Sequence, residues 1–132
     1  MVGVINKDEI VDKETTFKPC SSSISEYYNY DIGYKTERYG IRKIIEIPIK
    51  KLKFPNISGL INVRFVINCK NEIGYFKITT TNQAYQNIEI NEHLKLEIVK
   101  IIQQLNDWNS KNEDAYYQIY IKLRNGKVED IF

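Results

Sequence analysis

The chain has 132 residues, enough for one domain with a core of its own and no need of metals or staples. Hydrophobic residues at 42% and charged residues at 27% are ordinary globular values, and a net charge of +2 is too small to argue for a nucleic-acid partner. No run of about 18 apolar residues occurs, so no stretch reads as a membrane-spanning helix.

The opening Met1-Val2-Gly3-Val4-Ile5 meets Lys7, Asp8 and Glu9 at once, which is too short and too charged for a signal-peptide core. The chain therefore fits either a cytosolic protein or the mature segment of an exported one. Residues 1–23 are polar, with Pro19 and the tract Ser21-Ser22-Ser23, and read as an extended arm with a short strand at Glu9 to Val11. Residues 24–132 read as a single domain. That domain opens on a tyrosine-dense segment holding Tyr27, Tyr28, Tyr30, Tyr34 and Tyr39. Such tyrosines cover a small core while their hydroxyls stay wet, the reading preferred over a stacking or peptide-binding platform.

From Ile41 a helical pattern places Ile41, Ile44, Ile45, Pro48 and Leu52 on one face. Pro48 cannot donate to the Ile44 carbonyl, so a break is expected near Glu46-Ile47, with a new turn starting at Pro48. Arg42, Lys43, Lys50, Lys51 and Lys53 flank this face. They read as a solvated helix side before a phosphate or lipid-headgroup site. Pro55 and Gly59 end the segment.

Leu60 to Thr81 is two runs of β-branched and aromatic residues around a polar Cys-Lys-Asn-Glu break, an antiparallel hairpin. Ile61, Val63, Phe65 and Ile67 share one face of the first run; Gly74, Phe76 and Ile78 alternate against Tyr75, Lys77 and Thr79 in the second. Asn91 is placed as the N-cap of a helix carrying Leu94, Ile98, Ile101, Ile102 and Leu105, with Glu92 at its positive end. Trp108 packs beneath the end of that helix, and Asn109 to Asp114 reads as a polar loop. Tyr116 to Leu123 alternates as a strand, and Asn125-Gly126 turns it into a second one. A two-residue turn pairs Leu123 with Val128 and Lys122 with Glu129. The expected fold is α+β: a mostly antiparallel sheet of three to four strands with two helices on one face.

Chemistry-bearing constellations are sparse. His93 is the single histidine and reads as a surface residue; Cys69 lacks a base to activate it; the six glycines form no phosphate-binding loop. No catalytic residue, metal ligand set or cofactor follows, and the expectation is a protein that is not an enzyme. Cys20 and Cys69 permit one disulfide or two free thiols, and the count does not choose between them.

The order of motifs from Tyr39 to Val128 resembles the TonB C-terminal domain. Phe54-Pro55 matches that family's aromatic-proline step, Gly59 its glycine, and Val63, Phe65 and Ile67 its small-x-Val-x-Phe-x-Val strand. The helix to Leu105 followed by Trp108, and the closing Tyr120-Ile121-Lys122-Leu123, match the later elements. The resemblance implies a periplasmic or cell-envelope module that binds a protein segment, such as part of an outer-membrane transporter, by strand addition at a sheet edge. The residues this assigns are Gln118, Tyr120 and Lys122 on the last long strand, with Glu129 and Ile131 on the strand added after Asn125-Gly126. The same kind of edge would serve a homodimer. A periplasmic location also implies an oxidised Cys20–Cys69 bridge. The alternative expectation is a small cytosolic adaptor or inhibitor-like protein that binds through its tyrosine-rich surface.

Overall fold

The computed structural model describes residues 9–13, 15–20, 33–34, 37–110 and 114–132. Most of the tyrosine-dense segment, and the arm before residue 9, lie outside the described residues. The elements in chain order are β1 (Gly33–Tyr34), α1 (Glu37–Lys50), β2 (Gly59–Ile67), β3 (Ile73–Asn82), α2 (Glu92–Ile102), β4 (Trp108–Asn109), β5 (Ala115–Arg124) and β6 (Lys127–Ile131). The fold is α+β. Four antiparallel strands lie in the order β3-β2-β5-β6, and β1 pairs with β4 in a separate two-stranded ribbon. No helix among the described residues is long and apolar enough to cross a membrane.

Both helices cover one face of the sheet. Ile61, Val63, Phe65 and Ile67 of β2 are fully buried there with Ile119, Ile121 and Leu123 of β5. Against them pack Ile41, Ile45 and Ile49 of α1 and Leu94, Ile98, Val99 and Ile102 of α2. Asn91 caps α2 as expected, its side chain accepting from the Leu94 amide at 2.8 Å. At one end of the core Phe65 contacts Phe76, Trp108 and Tyr117, with ring centroids 5.0, 5.4 and 5.8 Å away.

Three sequence expectations are corrected. First, α1 begins at Glu37 rather than Ile41 and runs unbroken through Pro48. Its buried stripe is Ile41, Ile45 and Ile49, while Ile44 is on the exposed side. The carbonyl that Pro48 leaves unserved therefore belongs to an exposed residue, where water can take it, and the helix needs no break.

Second, β3 does not alternate evenly. Tyr75 has a positive φ of 56° and the register shifts between Arg64 and Val66, the signature of a β-bulge. The extra residue reverses the faces, so Phe76 joins the core beside Phe65 while Gly74, opposite Val66, lies on the other side. Phe17 from the arm covers it: a Cβ at Gly74 would sit 2.3 Å from the Phe17 ring.

Third, Glu9 to Val11 is not a strand, though this stretch is anchored. Ile10 is buried, and the Val11 amide donates to the Phe76 carbonyl at 2.7 Å. Asp12 accepts from the Phe76 and Tyr75 amides at 2.8 and 3.0 Å, the donors that the bulge turns outward. A disulfide joins Cys20 to Cys69 in the β2–β3 turn. Asp114, buried within the expected polar loop, accepts from the amides of both cysteines at 3.0 Å.

Candidate functional site

The assigned residues fall on β5 and β6, and the antiparallel ladder decides what each can offer. Within β5 the odd-numbered residues bond to β2 and the even-numbered ones turn their backbone groups the other way. Tyr120 exchanges both of its backbone bonds with Phe132, at 2.6 and 2.9 Å, and Lys122 pairs with Asp130. Among the described residues, no strand continues the ladder on this side of β5 past Tyr120. Gln118 is the next even residue, so its carbonyl and amide face a gap in the ladder.

Arg38, in the first turn of α1, fills that gap. Its two terminal nitrogens each donate to the Gln118 carbonyl at 3.3 Å, and its guanidinium lies 5.0 Å above the centre of the Tyr117 ring. Both bonds are long and exposed, and therefore weak. Burial pushes the Tyr117 phenol above its ordinary value, and the Arg38 charge pulls it partly back.

The other sheet borders carry partners over part of their length. The first half of β3 is bonded to Val11 and Asp12, and the second half to Ile88 and Gln86 through the Thr80 carbonyl and the Asn82 amide. On β6 the Ile131 amide is taken by the Asp130 side chain at 2.9 Å, and Asp130 is held by Arg42 of α1 at 3.3 Å. Such side-chain blocking is a common protection of edge strands.

Four of the five assigned side chains come together on the face of the sheet away from the helices. Gln118 Oε1 accepts from Asn62 at 3.1 Å and from the Tyr120 hydroxyl at 3.4 Å. Tyr120 stacks on Phe132, and Lys122 pairs with Glu129 at 3.3 Å. The expected Lys122–Glu129 contact thus forms, although a bulge places Asp130 opposite Lys122 in register. Ile131 does not belong to this surface: its side chain is buried in the core beside Ile121. Next to the patch lies an open groove of about 660 Å³ lined by Leu60, Tyr85, Lys122, Arg124, Glu129 and Phe132.

Comparison with family models, with curated proteins and with solved structures finds no match. The likeness to the TonB C-terminal domain therefore rests on the residues quoted above.

Sequence reasoning missed two participants. Arg38 stands before the point where the apolar periodicity begins, and no local pattern ties it to a strand 80 residues away. Phe132 follows the last alternating residue, so its pairing with Tyr120 carried no signal of its own. Elsewhere among the described residues, Cys20, Cys69 and Asp114 bring ligand-type atoms within 4.8 Å of one another. The two sulfurs there are bonded to each other, which removes them as thiolate ligands.

Proposed function

We propose that the chain is a non-enzymatic protein-interaction module of the bacterial cell envelope that takes up an extended partner segment by strand addition. The observation carrying this reading is the outward side of β5 at Gln118, which among the described residues is met only by the long Arg38 contacts. An incoming strand would run antiparallel to β5, in line with β6, and displace Arg38. The Cys20–Cys69 bridge is in keeping with an oxidising compartment, and the ordered motifs resembling the TonB C-terminal domain favour a transporter segment as the partner.

Backbone pairing alone would be too weak. Two hydrogen bonds at Gln118 contribute about 1 kcal/mol each, far from the roughly 8 kcal/mol of a micromolar complex. Most of the affinity must come from partner side chains against Tyr120, Phe132 and the adjoining groove.

The test is a titration of isotope-labelled protein with synthetic peptides copying short periplasm-facing segments of outer-membrane transporters. Binding should shift the Gln118 amide and the Arg38 side-chain resonances. Gln118→Pro removes an outward amide without touching the β2 ladder and should abolish binding, whereas Arg38→Ala should tighten it several-fold. Binding that survives Gln118→Pro in a folded protein would overturn strand addition.

A further inference from the structure

The exposed side of α1 carries a second surface that the β5 edge does not use. Tyr39 and Ile47 are 75% and 64% exposed, and Ile44 is exposed beside them. At 100° per residue, Tyr39, Lys43, Ile44, Ile47 and Lys50 fall within one side of the helix, and Lys51 continues that side past its end. The stretch from Arg38 to Lys53 contains six cations and one acid, Glu46. Glu46 is engaged by both Arg42 and Lys50, at 3.8 and 3.1 Å. Lys43, Lys51 and Lys53 are exposed, and none forms an ion pair with a described residue.

A protruding aromatic and two aliphatic side chains set among uncompensated lysines are what an interfacial helix presents to a lipid surface. The apolar groups enter the headgroup boundary, the tyrosine keeps its hydroxyl in the polar layer, and the lysines meet lipid phosphates. An acidic protein surface would complement the lysines but would leave Ile47 in search of a pocket; a bilayer needs none. The patch also differs from a core stripe in its position: Ile41, Ile45 and Ile49 already supply the packing face.

We infer that α1 docks the protein onto anionic phospholipid bilayers through Tyr39, Ile44 and Ile47, with Lys43, Lys51 and Lys53 supplying the charge. The bilayer lies against the helix side opposite the sheet, so the outer sheet face with Gln118 and Tyr120 stays turned away from it.

Co-sedimentation of the whole protein with vesicles tests this. Binding should occur to vesicles of phosphatidylglycerol and phosphatidylcholine, fall as salt is raised, and be absent with phosphatidylcholine alone. Lys43→Gln, Lys51→Gln and Lys53→Gln should each weaken it roughly fivefold, and Ile47→Glu should abolish it. Lys100→Gln, an exposed lysine on α2, should leave it unchanged. All of these positions are exposed, and circular dichroism checks that each variant is folded. Three results would overturn the inference: equal binding to neutral vesicles, an equal loss with Lys100→Gln, or self-association in lipid-free solution that Ile47→Glu disrupts. The last would assign the patch to a second copy of the chain.

Discussion

Asp12 shows how one side chain can hold a segment that has no regular structure. Its two carboxylate oxygens meet two adjacent amides of β3, made available because Tyr75 takes a positive φ and pushes the strand out of register. Burial raises the Asp12 carboxyl above its ordinary value, against the Phe76 and Tyr75 amides that favour the anion. The sign follows directly. Between the ordinary and the raised value the folded protein holds a proton that the unfolded chain has released, so stability at this group falls as pH rises through that interval and is fully present below it. Carboxyl-carbon NMR should therefore find an Asp12 midpoint above the roughly 3.9 of a free aspartate. A midpoint at or below that value would contradict burial as the dominant influence. None of this was legible beforehand, because Asp12 sits in a polar arm and its partners are backbone groups more than 60 positions away.

At the scale of elements, patterning was informative wherever one face had to be buried. The β2–β3 hairpin, the capped α2 helix and the Asn125-Gly126 turn all follow from local rules, since periodicity and turn chemistry act over a few residues. Asn125 and Gly126 both take positive φ, 52° and 78°, as that turn requires. The errors came where tertiary contacts decide. Gly74 alternates with Phe76 on paper, but the bulge between them sends one to Phe17 and the other to the core. Pro48 breaks a helix only if the freed carbonyl has no solvent and no packing compensates; here Ile45 and Ile49 hold the helix down on either side of it. The disulfide belongs to this scale as well, since it ties the arm to the hairpin turn across a sequence separation of 49. Closing a loop of that length is worth about 4 kcal/mol on the chain-entropy account. Denaturant unfolding with and without reductant should differ by about that amount. No difference would mean that Asp12, Phe17 and Asp114 secure the arm unaided.

For the whole molecule, the organising fact is how the sheet ends. A four-stranded antiparallel sheet has two edges, and this one covers part of each with a different device: an arm and a loop on β3, an aspartate held by a helix arginine on β6. Among the described residues, β5 lies between β2 and β6 for about half its length and is met by Arg38 at Gln118. The resemblance to the TonB C-terminal domain assigned residues on β5 and β6, and the structure places these residues differently from one another. Of the residues it assigned, Tyr120 and Lys122 have their backbones occupied by β6, Ile131 is buried, and Gln118 alone faces the gap. That distinction depends on which residues of β5 turn their backbone groups away from β2 and on a bulge that shifts the β6 register, neither of which periodicity encodes.

The outward amide of Gln118 is therefore the most direct probe of the strand-addition account. Hydrogen exchange at this single amide should be fast in the free protein and slow markedly when a partner peptide is bound, while the neighbouring Ile119 amide, bonded to β2, stays protected in both. A Gln118 amide already protected in the free protein, or one that exchanges equally fast in the complex, would contradict strand addition at this edge.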